Sequence, residues 1–127
     1  MPSQIIVVED DPAVRGMLEL TFAVEGYETE VYEDGNAGLA RLDGPVPDLV
    51  ILDVMIPHVD GYEILQELRS REEWADTPVI VCTALSDDED VWRGWSSGAD
   101  YLLIKPFDLD HLRDVVARLL MGERINQ

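Results

Sequence analysis

The chain has 127 residues, 46% of them hydrophobic, and a formal net charge of −18 from 27 acidic and 9 basic residues. That length and apolar content suit one domain that folds without disulfide or metal, and no apolar run approaches the roughly 18 to 20 residues needed to cross a bilayer. The acid excess excludes direct grip on a phosphate backbone, which depends on neutralising charge, so nucleic acid is not an expected partner of this domain. With no basic, apolar leader at its start, the chain reads as cytoplasmic.

Taken in chain order, the first apolar run, "QIIVV" at 4–8, is nearly continuous and predicts a strand covered on both faces. Asp11 as N-cap and Pro12 at the first helical position then open a helix that buries Val14, Met17, Leu18 and Phe22 and stops at Gly26. "ETEVYE" at 28–33 alternates, as an edge strand does, and a weaker helix runs from Asp34 to about Leu42. "DLVIL" at 48–52 is a third strand, followed by a helix that starts near Asp60 and buries Ile64, Leu65 and Leu68. Trp74 is expected to cover the edge of the core. "PVIVCT" at 78–83 is a fourth strand holding the single Cys82, read as a small buried hydrophobe rather than a reactive thiol.

The fourth helix opens on "SDDE", Ser86 to Glu89, a capping-box pattern, and carries Trp92 and Trp95 about one turn apart. "YLLI" at 101–104 is the fifth strand. The last helix places Leu112, Val115, Val116, Leu119 and Leu120 on one stripe. Five successive βα units predict an α/β fold, a parallel sheet with helices on both faces.

In such sheets a ligand site lies beyond the carboxyl ends of the strands, where strand order reverses. Glu9, Asp10 and Asp11 follow the first strand, Asp53 ends the third, Thr83 and Ala84 end the fourth, and Lys105 and Pro106 follow the fifth. Lys105 is the only lysine in a chain that otherwise uses arginine for its strong cations. Clustered carboxylates resist ionising unless a cation offsets them, and an oxygen-only donor set suits Mg²⁺ shared with a phosphoryl group. Phosphoryl transfer is mostly positioning and charge neutralisation, and a carboxylate can itself be the acceptor. Asp53 is the natural acceptor, with Glu9 and Asp10 holding the metal.

Plainer readings compete with each of these. Asp11 is accepted as a helix cap, whereas Asp10 beside Glu9 is not. Asp53 could cap the loop before Pro57, and Thr83 at a strand end is unremarkable without its small neighbour Ala84. Lys105 could snorkel to solvent, a reading its solitude weakens. His58 and His111 have no matching ligand set and are given no catalytic part.

The stretches "VVEDDPAVR", "LVILDVMIPHVDGYE", "PVIVCTA" and "GADYLLIKPF", in order and over nearly the whole chain, resemble the receiver domain of two-component response regulators. The resemblance implies a flavodoxin-like, doubly wound sheet in the order 2-1-3-4-5. It also implies that Asp53 takes a phosphoryl group from a sensor histidine kinase or phosphotransfer protein. Asp10 would bind Mg²⁺ directly, with Mn²⁺ as a substitute, Glu9 would act nearby, often through water, and the Met55 carbonyl would complete the protein's ligands. Thr83 would bond a phosphoryl oxygen on activation, and Lys105 would pair with the acyl phosphate and precede a cis bond to Pro106. The fourth helix, fifth strand and fifth helix would form the output face, toward an output domain or partner protein, with one Trp as a contact.

Departures from the family pattern carry their own expectations. Leu102 stands where many members carry an aromatic that turns inward on activation. Tyr101, one place earlier, points to the opposite face of the strand and cannot replace it. Met55 and Leu85 occupy two positions that influence the life of the phosphoryl group, and both are too apolar to place a water, so autodephosphorylation should be slow. Arg113 and Arg118 are displaced from the places where the winged-helix members carry arginines for a charged dimer, held here by Val115 and Ala117. That dimer is not supported, and a homodimer of another kind stays open. The receiver domain is expected over 1–121, with 122–127 a tail or the start of a linker. Two other readings are a Mg²⁺-dependent phosphatase of the haloacid-dehalogenase kind, which would want an Asp where Met55 stands, and a receiver-like interaction module that is never phosphorylated.

Overall fold

The structure, a computed structural model, describes residues 2–54, 59–84 and 98–125. Strands β1 (Gln4–Val8), β2 (Glu28–Tyr32), β3 (Leu49–Asp53), β4 (Val79–Thr83) and β5 (Tyr101–Ile104) form one sheet in the order β2-β1-β3-β4-β5. All four pairings are parallel, with Val8 beside Tyr32 and Leu52, and Asp53 beside Cys82. The doubly wound α/β expectation and its strand order are therefore met. Every residue of β3 and β4 is buried, whereas β2 alternates exposed and half-buried positions, as its sequence pattern requires of an edge.

Helices α1 (Pro12–Val24), α2 (Gly35–Arg41), α3 (Gly61–Ser70) and the C-terminal helix (Leu109–Leu120) cover the sheet. Each starts on an aspartate whose carboxylate accepts a backbone N–H of the first turn: Asp11 from Ala13, Asp34 from Ala37, Asp60 from Tyr62 and Asp108 from Asp110. Part of the acid excess is therefore helix capping, which satisfies otherwise orphaned donors. The predicted fourth helix, with Trp92 and Trp95, lies outside the described residues.

Two apolar clusters lie on opposite faces of the sheet. One joins Ile6, Val8, Val50, Leu52 and Val81 to α3 residues Ile64, Leu65 and Leu68, and includes Leu102 and Trp74. The other joins Ile5, Val7, Ile51, Ile80 and Cys82 to Leu18 and Phe22 of α1 and to Leu112, Val115, Val116 and Leu119 of the C-terminal helix. Trp74, only 2% exposed, is a full core member with Arg41 stacked 5.8 Å above its ring. Cys82 is a free, buried thiol pushed up to about 12 by burial, so it is inert as expected.

One burial expectation is corrected. Met17 is exposed, and Leu20 and Val24 are more so, because α1 turns only Leu18 and Phe22 fully into the core. Met17 borders a cleft at the sheet end, and Leu20 and Val24 line a groove beside Leu109 and Arg113 of the C-terminal helix.

The C-terminal helix closes on Gly122, at φ 84°, in the left-handed region that spares glycine a Cβ clash. Glu123 N–H donates to Arg118 O at 3.1 Å and Gly122 N–H to Leu119 O at 3.0 Å, the paired bonds of a Schellman stop. Ile125 still packs on the second cluster. Packing thus runs past residue 121, the expected end of the domain.

Candidate functional site

Strand order reverses between β1 and β3, and the side chains at the carboxyl ends of those two strands meet there. Glu9 and Asp53 are 3% and 4% exposed, and Asp10 is exposed. One carboxylate oxygen from each of the three lies within 4.8 Å of the others. β5 delivers Lys105 across the mouth of the sheet: its Nζ donates to Asp53 Oδ2 at 2.9 Å and to Glu9 Oε1 and Oε2 at 3.0 and 3.1 Å.

Local folding places each group. Glu9 continues β1, its N–H donating to Tyr32 O at 3.0 Å, while Asp53 is the last residue of β3. Gly61, the first residue of α3, lets that helix close against the end of β3. A Cβ there would fall 2.5 Å from Asp53 O and 2.7 Å from Val54 Cα. Lys105 N–H donates to Thr83 O at 2.7 Å, tying the lysine's backbone to the end of β4. The Lys105–Pro106 bond is cis, as the family resemblance implies.

Burial opposes charge on Glu9 and, with the hydrogen bond and charge of neighbouring Asp53, raises its pKa to about 7 against the opposing pull of Lys105. Burial also works against the charged Lys105, but hydrogen bonds to Asp53 and Glu9, with their charges, outweigh it and hold the ammonium above the usual lysine range. The lysine stays charged throughout the physiological range.

With all four groups ionised, three carboxylates against one ammonium leave −3 + 1 = −2, which a divalent cation would cancel. The donor set is oxygen only, the preference of a small hard ion, so Glu9, Asp10 and Asp53 fit Mg²⁺. Met55, expected to add its carbonyl, lies outside the described residues, as do Leu85 and His58.

Thr83 is fully buried at the end of β4, one residue beyond Cys82, the register partner of Asp53. Ala84 is exposed and, with Lys105, Pro106, Val14, Met17 and Phe107, lines a cleft of about 410 Å³. Leu102 and Tyr101 face opposite clusters, as strand alternation requires. Leu102 is the register partner of Val81 and shares its buried cluster, whereas the Tyr101 hydroxyl lies 2.8 Å from Nε2 of His111 on the C-terminal helix. His111 is itself exposed at the surface and meets the edge of the Tyr101 cluster through this contact.

Sequence reasoning gave no role to Arg15. Its Nη1 donates to the carbonyls of Glu9 and Asp10, both at 2.9 Å, from 17% side-chain exposure. The available signal was a cation in the first turn of the helix that follows the acidic pair, five residues after Asp10, in a chain poor in cations.

The family model of the response regulator receiver domain matches residues 5–117. The chain is 40% identical over 125 residues to the DNA-binding dual master transcriptional regulator RpaA of a Synechocystis species, covering 98% of this chain and 52% of that protein. It spans about half the length of the curated relatives it matches. Among solved structures, the chemotaxis response regulator CheY4 of Vibrio cholerae superposes with TM-score 0.87 at 28% identity, covering 94% of this chain and 99% of that one. The receiver domain of the sensor histidine kinase PA1611 from Pseudomonas aeruginosa, solved with magnesium coordinated in its active site cleft, gives TM-score 0.86 at 25% identity over 97% and 100% of the two chains. With family model, fold and acidic pocket in agreement, the chain belongs to the response regulator receiver domains, the signalling modules of two-component systems.

Proposed function

We propose that this domain is a switch set by phosphorylation of Asp53, with a phosphohistidine of a sensor kinase or phosphotransfer protein as donor. The observation that carries this reading is the single lysine, whose Nζ lies 2.9 Å from Asp53 Oδ2 while Glu9 and Asp10 complete the acidic pocket. In the transfer, a carboxylate oxygen of Asp53 forms the new O–P bond as the donor's N–P bond breaks, and the departing imidazole nitrogen keeps the electron pair and takes up a proton. Lys105 neutralises charge gathering on the phosphoryl oxygens, and the Thr83 hydroxyl donates to one of them. Asp10 and Asp53, with Glu9 nearby through water and the Met55 carbonyl, would hold Mg²⁺, or Mn²⁺ in its place, which would supply the remaining charge neutralisation. Exposed Ala84 leaves that side of the site accessible.

Leu102, buried on β5 in the same cluster as Val81 and Ala99, takes the packing role that an aromatic has in other receivers and passes the change through its own strand to the output face. The listener there is an output domain or a separate protein in the cytoplasm. Of the described helices, none is long and apolar enough to cross a membrane. The domain assists its own phosphorylation and releases the group slowly, because apolar Met55 and Leu85 place no attacking water. Leu85→Glu should shorten the adduct's lifetime several-fold, and a wild-type half-life of seconds in Mg²⁺ buffer would contradict this.

The test of the switch is intact-mass measurement after incubation with acetyl phosphate and Mg²⁺. A single phosphoryl adduct in the wild type and none in Asp53→Asn is expected. An equal adduct in both would overturn the assignment.

A further inference from the structure

We infer that Arg15 is a positioning residue for the acidic pair: its guanidinium holds the two consecutive peptide carbonyls of Glu9 and Asp10 and so aims both carboxylates into the divalent-cation site. The inference rests on the reading of that site given above and adds a residue to it.

One nitrogen, Nη1, donates to Glu9 O and to Asp10 O, each at 2.9 Å. On its other side the Glu9 peptide donates its N–H to Tyr32 O at 3.0 Å. The backbone of Glu9 is therefore fixed from both β2 and α1, and its carboxylate has little freedom beyond its own rotamers. The Asp10 carboxylate is exposed and has less packing to hold it, so the tether on its carbonyl matters more.

Arg15 is itself well placed to act as an anchor. It projects from the first turns of α1, whose start is set by the Asp11 cap and Pro12. The helix thus returns a cation onto the loop that feeds it. At 17% exposure the side chain is mostly packed away from solvent, and its Nη2 stands 3.9 Å from the exposed Glu33 carboxylate. Charge-assisted bonds from a rigid planar fork give more geometric definition than a flexible ammonium would.

Two effects of opposite sign separate a positioning role from a mere charge. A cation near the pocket repels Mg²⁺, so removing it should tighten binding if charge were all that mattered. Groups that orient metal ligands usually carry about 10 to 100-fold in affinity, so removing an orienting group should weaken binding.

The experiment is calorimetric titration of the whole chain with Mg²⁺, comparing wild type, Arg15→Met, Arg15→Lys and Arg113→Met. The last removes an equal charge from an ion pair with Glu25 and Asp110. Expected are at least about tenfold weaker binding in Arg15→Met, an intermediate affinity in Arg15→Lys and no loss in Arg113→Met, with thermal midpoints in EDTA close to wild type. Unchanged or tighter binding in Arg15→Met overturns the inference. Should Arg15→Met not fold, Arg15→Lys decides: weaker binding in a folded protein supports positioning, and wild-type affinity refutes it. Absence of Mg²⁺ binding by the wild type would instead overturn the underlying reading of the site, and this inference with it.

Discussion

Glu9 and Asp53 are both almost fully buried, and two carboxylates so close ionise together only while cations share their charge. In the metal-free protein Glu9 keeps its proton up to about pH 7, against an ordinary 4.5, chiefly because burial penalises its charge. Its contribution to stability is then fully present below about pH 4.5 and is lost as pH rises through about 7. Urea unfolding in EDTA should show this fall, and Glu9→Gln should flatten it. A slope identical in the two proteins would contradict the assignment. Because the metal needs the carboxylate, Mg²⁺ binding should release a proton below pH 7 and tighten as pH rises to that point. Lys105 was legible in the sequence because a lone lysine directly after an apolar strand, in so acidic a chain, has a clear use in meeting buried carboxylates. Arg15 was not, because an arginine six residues from its target reads as ordinary helix surface until the loop is folded back on it.

Elements follow the sequence most closely where one physical signal dominates. β1 and β5 fall where their apolar runs predict, and β3 runs one residue past its apolar run of 48–52, ending at Asp53 as the sequence reading expects. The Asp11 cap of α1 was readable because a short acceptor before an apolar period has a mechanism behind it, and the same signal placed the starts of α2 and α3 at Asp34 and near Asp60. Met17 was misplaced because periodicity shows which face of a helix is apolar, not how much of that face the neighbouring helix leaves uncovered.

Gly61 could not be singled out from sequence, since its need is steric and tertiary. Gly61→Ala should cost about 1 to 3 kcal/mol, or displace α3 and slow Asp53 phosphorylation. Chemical unfolding with adduct kinetics checks it, and an unaffected protein on both counts would show that the helix yields freely.

At the far end of the sheet, Arg69 of α3 donates to Ala75 O, Thr77 O and Gly98 O and pairs with Asp100 at 2.7 Å. Asp100 also accepts Val79 N–H, so the pair joins the end of α3 to the starts of β4 and β5. Arg69→Met should cost about 2 kcal/mol, discounted because both partners are partly exposed, and urea unfolding would show the loss as a lower midpoint. It should leave Mg²⁺ binding intact.

For the whole molecule, charge and topology act together. A chain carrying −18 gathers three carboxylates at the reversal between β1 and β3, where β5 returns its only lysine. The fold class was legible from alternating strands and helices, since right-handed crossovers leave few other arrangements, and the strand order followed from the family resemblance. What the sequence could not supply was the distance at which burial and charge balance, which depends on how far each strand runs before its chain turns away. The claim that joins these scales is that Asp53, paired with Lys105, is the residue that receives phosphorus. The most direct measurement is borohydride reduction of the acetyl phosphate-treated, Mg²⁺-loaded protein followed by peptide sequencing, which converts an aspartyl phosphate to homoserine. Homoserine at position 53 alone is predicted. Homoserine at another acid, or unmodified Asp53 in protein that carries the adduct, would contradict the account.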